Sequence, residues 1–239
     1  MNIVVTGASR GIGYQTALKF SEDTKNTIFV LSRNEGGLKK LLDESQSATL
    51  VPIRCDISDT LSVESAVNEI SGRVKSIEVL VNNAGSLLQK DFSELTMEDW
   101  KEVYGVNVFG VAAITKQLLP LLALGKLSER EKVHAHVINI ASMGGIQGSL
   151  KFKGLSAYSS SKGALITMTE CLSEELQSVG IRVNCVALGS VETEMFKKAF
   201  PGYEASARVE EIAAWLVDFS AKGFYFFNGK TIQLSTSTP

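Results

Sequence analysis

Two side chains four residues apart carry the strongest chemical signal in this sequence. Tyr158 and Lys162 lie in S-A-Y-S-S-S-K-G-A-L-I, Ser156 to Ile166, a stretch that reads as the start of a helix. Ser156 is suited to capping it, and Ala164, Leu165 and Ile166 begin an apolar face. Four-residue spacing puts the phenol and the ammonium on one helix face, one turn apart. A phenol keeps its proton up to a pKa of about 10, and a neighbouring ammonium favours the phenolate. Such a pair can act as a general acid or base near neutral pH. The same spacing is also ordinary surface chemistry on an amphipathic helix, so its meaning depends on the rest of the chain.

What would position this pair is an alternation of strands and helices. Strand-like runs fall at Ile3–Thr6, Thr27–Leu31, Thr49–Arg54, Ile77–Asn82, Val133–Ile140, Ile181–Ala187 and Lys230–Leu234. Helical patterns lie near 12–22, 35–45, 60–73, 98–124, 156–178 and 208–220. Several strands are apolar throughout, as expected where both faces are covered. The alternation predicts an α/β fold, a single Rossmann-type doubly wound domain over residues 1–239. Its seven-stranded, mostly parallel sheet is flanked by helices on both faces.

The chain of 239 residues is 44% hydrophobic and 21% charged, enough for one buried core and unlike a disordered polymer. A net charge of -2 with no basic block argues against a nucleic-acid surface. No run of about 18 apolar residues appears, so no membrane partner is expected. The longest candidate, Val106 to Leu124, contains Asn107, Lys116 and Gln117. Strand-like Asn2-Ile3-Val4-Val5 leaves no room for a signal peptide. Cys55, Cys171 and Cys185 are scattered with no C-x-x-C pair, which predicts reduced, buried thiols in a cytoplasmic protein. No metal is expected. His134 and His136 alternate along V-H-A-H-V-I-N-I and read as marking the edge or solvent face of that strand.

The first strand ends in T-G-A-S-R-G-I-G, Thr6 to Gly13, and a helix follows. Glycines at Gly7, Gly11 and Gly13 let the backbone turn tightly and approach a diphosphate, which the free N–H groups of the helix receive. The spacing is Gly-x-x-x-Gly-x-Gly rather than the commoner Gly-x-Gly-x-x-Gly. After the second strand, Arg33 stands where an acidic residue would bind the ribose 2′-hydroxyl of NAD, and Arg10 sits inside the glycine loop. Two guanidinium forks suit a 2′-phosphate, so NADP(H) is favoured over NAD(H).

Asp56, after the third strand, could accept from an adenine amino group or cap the helix near residue 60. Asn83, in Asn82-Asn83-Ala84-Gly85 after the fourth strand, could contact ribose or tie neighbouring strands. Asn107 is a polar amide in an apolar helical segment, either a hydrogen-bonding knot or a site residue. Ser142 follows the fifth strand at the same carboxyl edge and could donate to a substrate oxygen or cap a turn.

Together these motifs resemble the short-chain dehydrogenase/reductase family, over the chain to about residue 193. They are Thr6-Gly7-x-x-x-Gly11-x-Gly13, Asn82-Asn83-Ala84-Gly85, Asn107, Ser142 and Tyr158-x-x-x-Lys162. The resemblance implies a catalytic set of Asn107, Ser142, Tyr158 and Lys162. Ser142 would hydrogen-bond the carbonyl oxygen, and Tyr158 would exchange the proton. Lys162 would lower the tyrosine pKa and bind the nicotinamide ribose, and Asn107 would hold a relay water. The implied cofactor-binding residues are Gly7, Ser9, Arg10, Gly11, Ile12, Gly13, Arg33, Asp56, Ile57, Asn83, Ala84, Gly85, Tyr158, Lys162, Val191 and Thr193. Residues 1–95 would form mainly the cofactor-binding half, and 96–239 the catalytic and substrate-binding half.

The implied activity is an NAD(P)-dependent oxidoreductase interconverting a carbonyl and a secondary alcohol, with a small-molecule substrate. The alternatives are a 3-oxoacyl-thioester reductase and a non-catalytic dinucleotide sensor on the same fold. A homodimer or homotetramer is also implied. Val111-Ala112-Ala113-Ile114 with Leu118-Leu119 offers apolar surface for pairing, unless it is buried against its own sheet. Leu188 stands where the family usually has proline. Met195, Phe196, Phe200 and Tyr203 occupy the place of the family's substrate lid, suggesting an apolar substrate unless they only seal the core.

Overall fold

The computed structural model describes residues 1–45 and 50–235. Strands β1 (Asn2–Thr6), β2 (Thr27–Ser32), β3 (Leu50–Arg54), β4 (Val79–Asn82), β5 (Ala135–Ser142), β6 (Ile181–Leu188) and β7 (Thr231–Leu234) form one sheet of seven strands, in the order β3-β2-β1-β4-β5-β6-β7. Every neighbouring pair is parallel. The expected first residue of the third strand, Thr49, lies outside the described residues.

Helices α1 (Gly11–Ser21), α2 (Glu35–Ser45), α3 (Thr60–Arg73), α4 (Met97–Tyr104), α5 (Val111–Leu122), α6 (Ser156–Leu176), α7 (Glu194–Ala199) and α8 (Val209–Lys222) follow the strands. Alternation along β1 explains the two layers. Ile3 and Val5 join a core with Phe20, Leu216 and Phe219 from α1 and α8, while Val4 points the other way to Ile70, Ile114 and Leu118 of α3 and α5. The order reverses between β1 and β4, so the loops after these strands diverge and leave a crevice at the carboxyl edge.

The predicted helix over 98–124 is broken in the middle. Gly105–Gly110 forms a π-helical turn between α4 and α5, and Asn107 sits in it. Such turns replace regular i to i−4 bonding and recur near functional sites. The whole rod, Met97–Leu122, has a mean hydropathy of 1.4 over its most apolar window, but Ile114, Leu118 and Leu122 are spent on the protein's own core. Val111 is buried as well, under α6, so most of the apolar surface considered for pairing faces inward.

A buried polar ladder fixes α5 and α6 against the sheet. The Asn82 amide donates to Asn139 Oδ1 at 2.8 Å and to Thr115 at 3.0 Å, and the Asn139 amide donates to Thr169 of α6 at 2.9 Å. Buried hydrogen-bonded amides and hydroxyls of this kind favour one arrangement of their elements, although Asn82 Oδ1 is buried with no partner among the described residues.

Three local expectations are corrected. His136 is wholly buried in central strand β5, not on a solvent face. Its Nδ1 faces the Ser220 carbonyl at 3.2 Å and Nε2 faces the Asn184 amide at 3.0 Å, which assigns the proton to Nδ1. Phe219 and Phe224 pack against its ring, and burial pulls its pKa down to about 4. Cys171 is exposed on α6, whereas Cys55 and Cys185 are buried. Ser156 does not cap α6. It is already the first helical residue, with Leu155 at the cap, and its buried hydroxyl has no hydrogen-bond partner among the described residues.

Candidate active site

The loops after β1, β4, β5 and β6 enclose a cavity of about 910 Å³ at the carboxyl edge of the sheet. Its floor is set by glycine. Gly7 has φ +68°, and a Cβ there would lie 2.7 Å from Ala84 Cα. A Cβ on Gly13 would meet Gly7 O at 2.6 Å and collide with the Asn83 amide, so this glycine serves close packing and does not line the cavity. Asn83 donates to Thr6 O at 3.0 Å and Gly7 O at 3.1 Å, while Thr6 Oγ1 accepts from Asn83 N and Ala84 N, each at 3.1 Å. The Asn83 side chain therefore ties the β1 and β4 loops together.

These constraints deliver the start of α1 to the cavity. Gly11 opens that helix with φ +58°, Arg10 at the cap makes no side-chain capping bond, and the first turn carries no acidic residue. Unfilled N–H donors and the positive end of the helix are thus presented beside a glycine backbone. This is a fit for a diphosphate.

Toward the end beyond β2 and β3, Arg33 pairs with Asp56 at 3.3 Å. Burial pushes the Asp56 carboxyl up, but hydrogen bonds from Ser58 and the charge of Arg33 outweigh it and hold it below its ordinary value. Asp56 does not cap α3; Asp59 does, accepting from Leu61 N at 3.0 Å. Arg10 reaches across the mouth to Glu194 at 3.2 Å. Both guanidinium groups are exposed, Glu194 is exposed and Asp56 half-buried, so each arginine is open to exchange its carboxylate for a phosphate.

The acid–base residues converge at the other end. Ser142 is the last residue of β5, and its Oγ accepts from Gly144 N at 3.2 Å, so it caps the turn Met143–Gly145 while facing the cavity. Tyr158 and Lys162 both line the cavity from α6, with the Lys162 ammonium 5.9 Å from the centre of the Tyr158 ring. Lys162 Nζ donates to Ile140 O at 2.7 Å.

Burial dominates both groups. It pulls Lys162 down to about 8 and pushes Tyr158 above its ordinary value, and the group that counters it at Tyr158 is the Ser142 hydroxyl, not Lys162. The expected lowering of the phenol is not what the site produces: both groups line one desolvated wall, and burial, not the lysine, sets the direction at the phenol.

Asn107 does not line the cavity. Its Oδ1 accepts from Ser86 N at 2.8 Å, and its amide donates to Ser86 O and to Ser161 Oγ, each at 2.9 Å. It is the hydrogen-bonding knot that anchors α6 to the β4 loop. The segment before α6 is clasped as well, by Lys90 N to Gly154 O at 2.9 Å and Lys153 to Asp91 at 3.0 Å.

The remaining predicted residues Ser9, Ile12, Ile57, Ala84, Gly85, Val191 and Thr193 line the cavity. Thr193 also caps α7, accepting from Phe196 N at 3.0 Å. The sequence reading misses Leu87, Leu150, Phe152, Glu194 and Glu204 on the walls. Phe152 had a usable signal, an aromatic six residues before Tyr158, obscured by the flanking Lys151 and Lys153. Among the described residues, no cluster of three or more His, Cys, Asp or Glu is arranged for a metal ion.

Comparison with known proteins agrees with this geometry. The short chain dehydrogenase family model matches residues 1–204. NADP-dependent 3-hydroxy acid dehydrogenase of Schizosaccharomyces pombe is 30% identical over 209 residues, covering 86% of this chain and 77% of the relative. Meso-2,3-butanediol dehydrogenase of Serratia marcescens is 28% identical over 242 residues, covering 97% and 92%. The crystal structure of an actinorhodin polyketide ketoreductase variant with NADPH superposes with a TM-score of 0.83 at 27% identity, over 97% of this chain and 94% of that one. The chain belongs to the short-chain dehydrogenase family.

Proposed function

We propose that the chain is an NADP(H)-dependent oxidoreductase that interconverts a carbonyl and a secondary alcohol, and that it works as a reductase. The observation that carries this reading is the juxtaposition of Ser142, Tyr158 and Lys162 with a glycine cradle and an unfilled helix N-terminus in one cavity. When bound, the reduced dinucleotide supplies the hydride that goes to the carbonyl carbon. Gly7, Gly11 and the first turn of α1 would hold its diphosphate, and Lys162 its nicotinamide ribose. Arg10 and Arg33 would exchange their carboxylate partners for a 2′-phosphate. The S. pombe relative is named as NADP-dependent, and the ketoreductase variant was crystallised with NADPH.

Ser142 would donate to the carbonyl oxygen as charge develops there, and Tyr158 would pass it a proton. A phenol pushed up by burial holds its proton at neutral pH, the form that donates. The likeness to a ketoreductase supports the reductive direction. Following NADPH oxidation across a panel of ketones and aldehydes tests the reading, with Tyr158→Phe as the control. Turnover should vanish in the variant while NADPH still binds; substantial residual turnover would sink the role of Tyr158.

A further inference from the structure

Resting on that reading, we infer that the substrate is a neutral carbonyl compound carrying an aromatic or alicyclic body, and that the site discriminates against carboxylate substrates. The wall beyond Tyr158 is built from two segments that meet through aromatic rings. Phe152, in the segment before α6, packs edge-on against Phe200 after α7 at 4.9 Å. Phe200 also meets Phe196 at 5.3 Å and Tyr203 at 6.2 Å. All four rings line the cavity, with Leu150 and Met195 beside them.

This apolar wall is not sealed into the core. Leu150 is 53% exposed, Phe152 37% and Tyr203 71%, so a ring lying against them would bury surface that is now in water. Edge-to-face stacking of rings adds to that burial.

Charge argues for a neutral substrate. Among the described residues lining the cavity, the cations are Arg10, Arg33 and Lys162. The two arginines belong to the loops after β1 and β2, and Lys162 is held by Ile140 O. Lys151, between Leu150 and Phe152 in sequence, turns its ammonium to Ile146 O at 2.6 Å and to Ser149. Glu204 adds a carboxylate to the same lining. A substrate carboxylate held against these rings would exchange part of its water for apolar surface, gain no cation from the lining and meet the Glu204 carboxylate.

The test compares two ketones of nearly equal size, 4-acetylbenzamide and 4-acetylbenzoate, which differ by a neutral amide against a carboxylate at the far end of the ring from the ketone. Initial rates of NADPH oxidation are measured with the full chain. In each turnover one carbonyl takes up the hydride and a proton to become a secondary alcohol, and one NADPH becomes NADP⁺. We expect kcat/KM for the amide to exceed that for the carboxylate by about 100-fold or more, as for a site whose lining offers the charge no partner.

Phe200→Ala should lower that ratio by about tenfold, a change that a general loss of fold, lowering both rates alike, would not produce. Equal or faster use of 4-acetylbenzoate, or reduction of small polar ketones only, would overturn the inference while leaving a carbonyl reductase. Absence of turnover with every carbonyl despite NADPH binding would overturn the function on which it rests. An unchanged ratio in Phe200→Ala would remove the aromatic wall as the cause.

Discussion

Lys162 carries the charge that this site opposes most directly, and its titration should be visible in the kinetics. Burial beneath β5 pulls its pKa from 10.5 to about 8. The difference between 10.5 and about 8 amounts to roughly 3 kcal/mol against the ammonium form. If the ammonium receives the cofactor ribose, kcat/KM for NADPH follows its protonated fraction, because that parameter reports groups of the free enzyme. The expected profile is nearly full at pH 6.5, half at about pH 8, down about tenfold at pH 9 and about a hundredfold at pH 10.

Arg10 and Arg33 keep their charge throughout this range. Tyr158 lies above its ordinary value of 10.0, so it does not account for the limb near pH 8. Initial rates at fixed ionic strength and saturating ketone measure the profile. Lys162→Met should lower kcat/KM and remove the limb, leaving values independent of pH from about 7 to 9. A wild-type profile flat to pH 10, or the same limb in Lys162→Met, would refute the assignment.

Acid should reach the fold through His136. Its folded pKa of about 4 lies below the unfolded 6.5, so the unfolded chain binds the extra proton first. The stabilisation is complete above about pH 6.5 and lost as pH falls through 4, roughly 3 kcal/mol in all. Urea unfolding at pH 7 and pH 4.5 should show His136→Gln, less stable at pH 7, losing about 2 kcal/mol less than wild type on acidification; equal losses would exclude His136. At the far end of the cavity, Arg33→Gln removes a guanidinium without placing a second carboxylate against Asp56. It should lower kcat/KM for NADPH by about 10- to 100-fold and change NADH by less than about threefold; parallel losses would make Arg33 a bystander.

The parallel sheet is legible in the sequence because several strands are apolar on both faces and strand patterns alternate with helical ones, so period and order point to one topology. The glycine loop is legible for a related reason: positive φ at Gly7 and Gly11, and contact at Gly13, are demands that only glycine meets. The aromatic wall is not, since Phe152 and Phe200 are 48 positions apart and meet only because β5 and β6 are neighbours in the sheet. His136 was misread because alternation along V-H-A-H suits a strand with one wet face, whereas β5 is central and both its faces are covered.

The sign of the Tyr158 shift shows why spacing alone misleads. Four residues on a helix fix the direction in which two side chains point, but the surface they point toward fixes the cost of charge. On a solvated helix face, Lys162 would keep its full charge and draw the phenol down. Turned onto β5, the lysine is pulled down to about 8 and burial, not the lysine, governs the phenol, so the same four-residue spacing accompanies an upward shift of the phenol instead of a downward one.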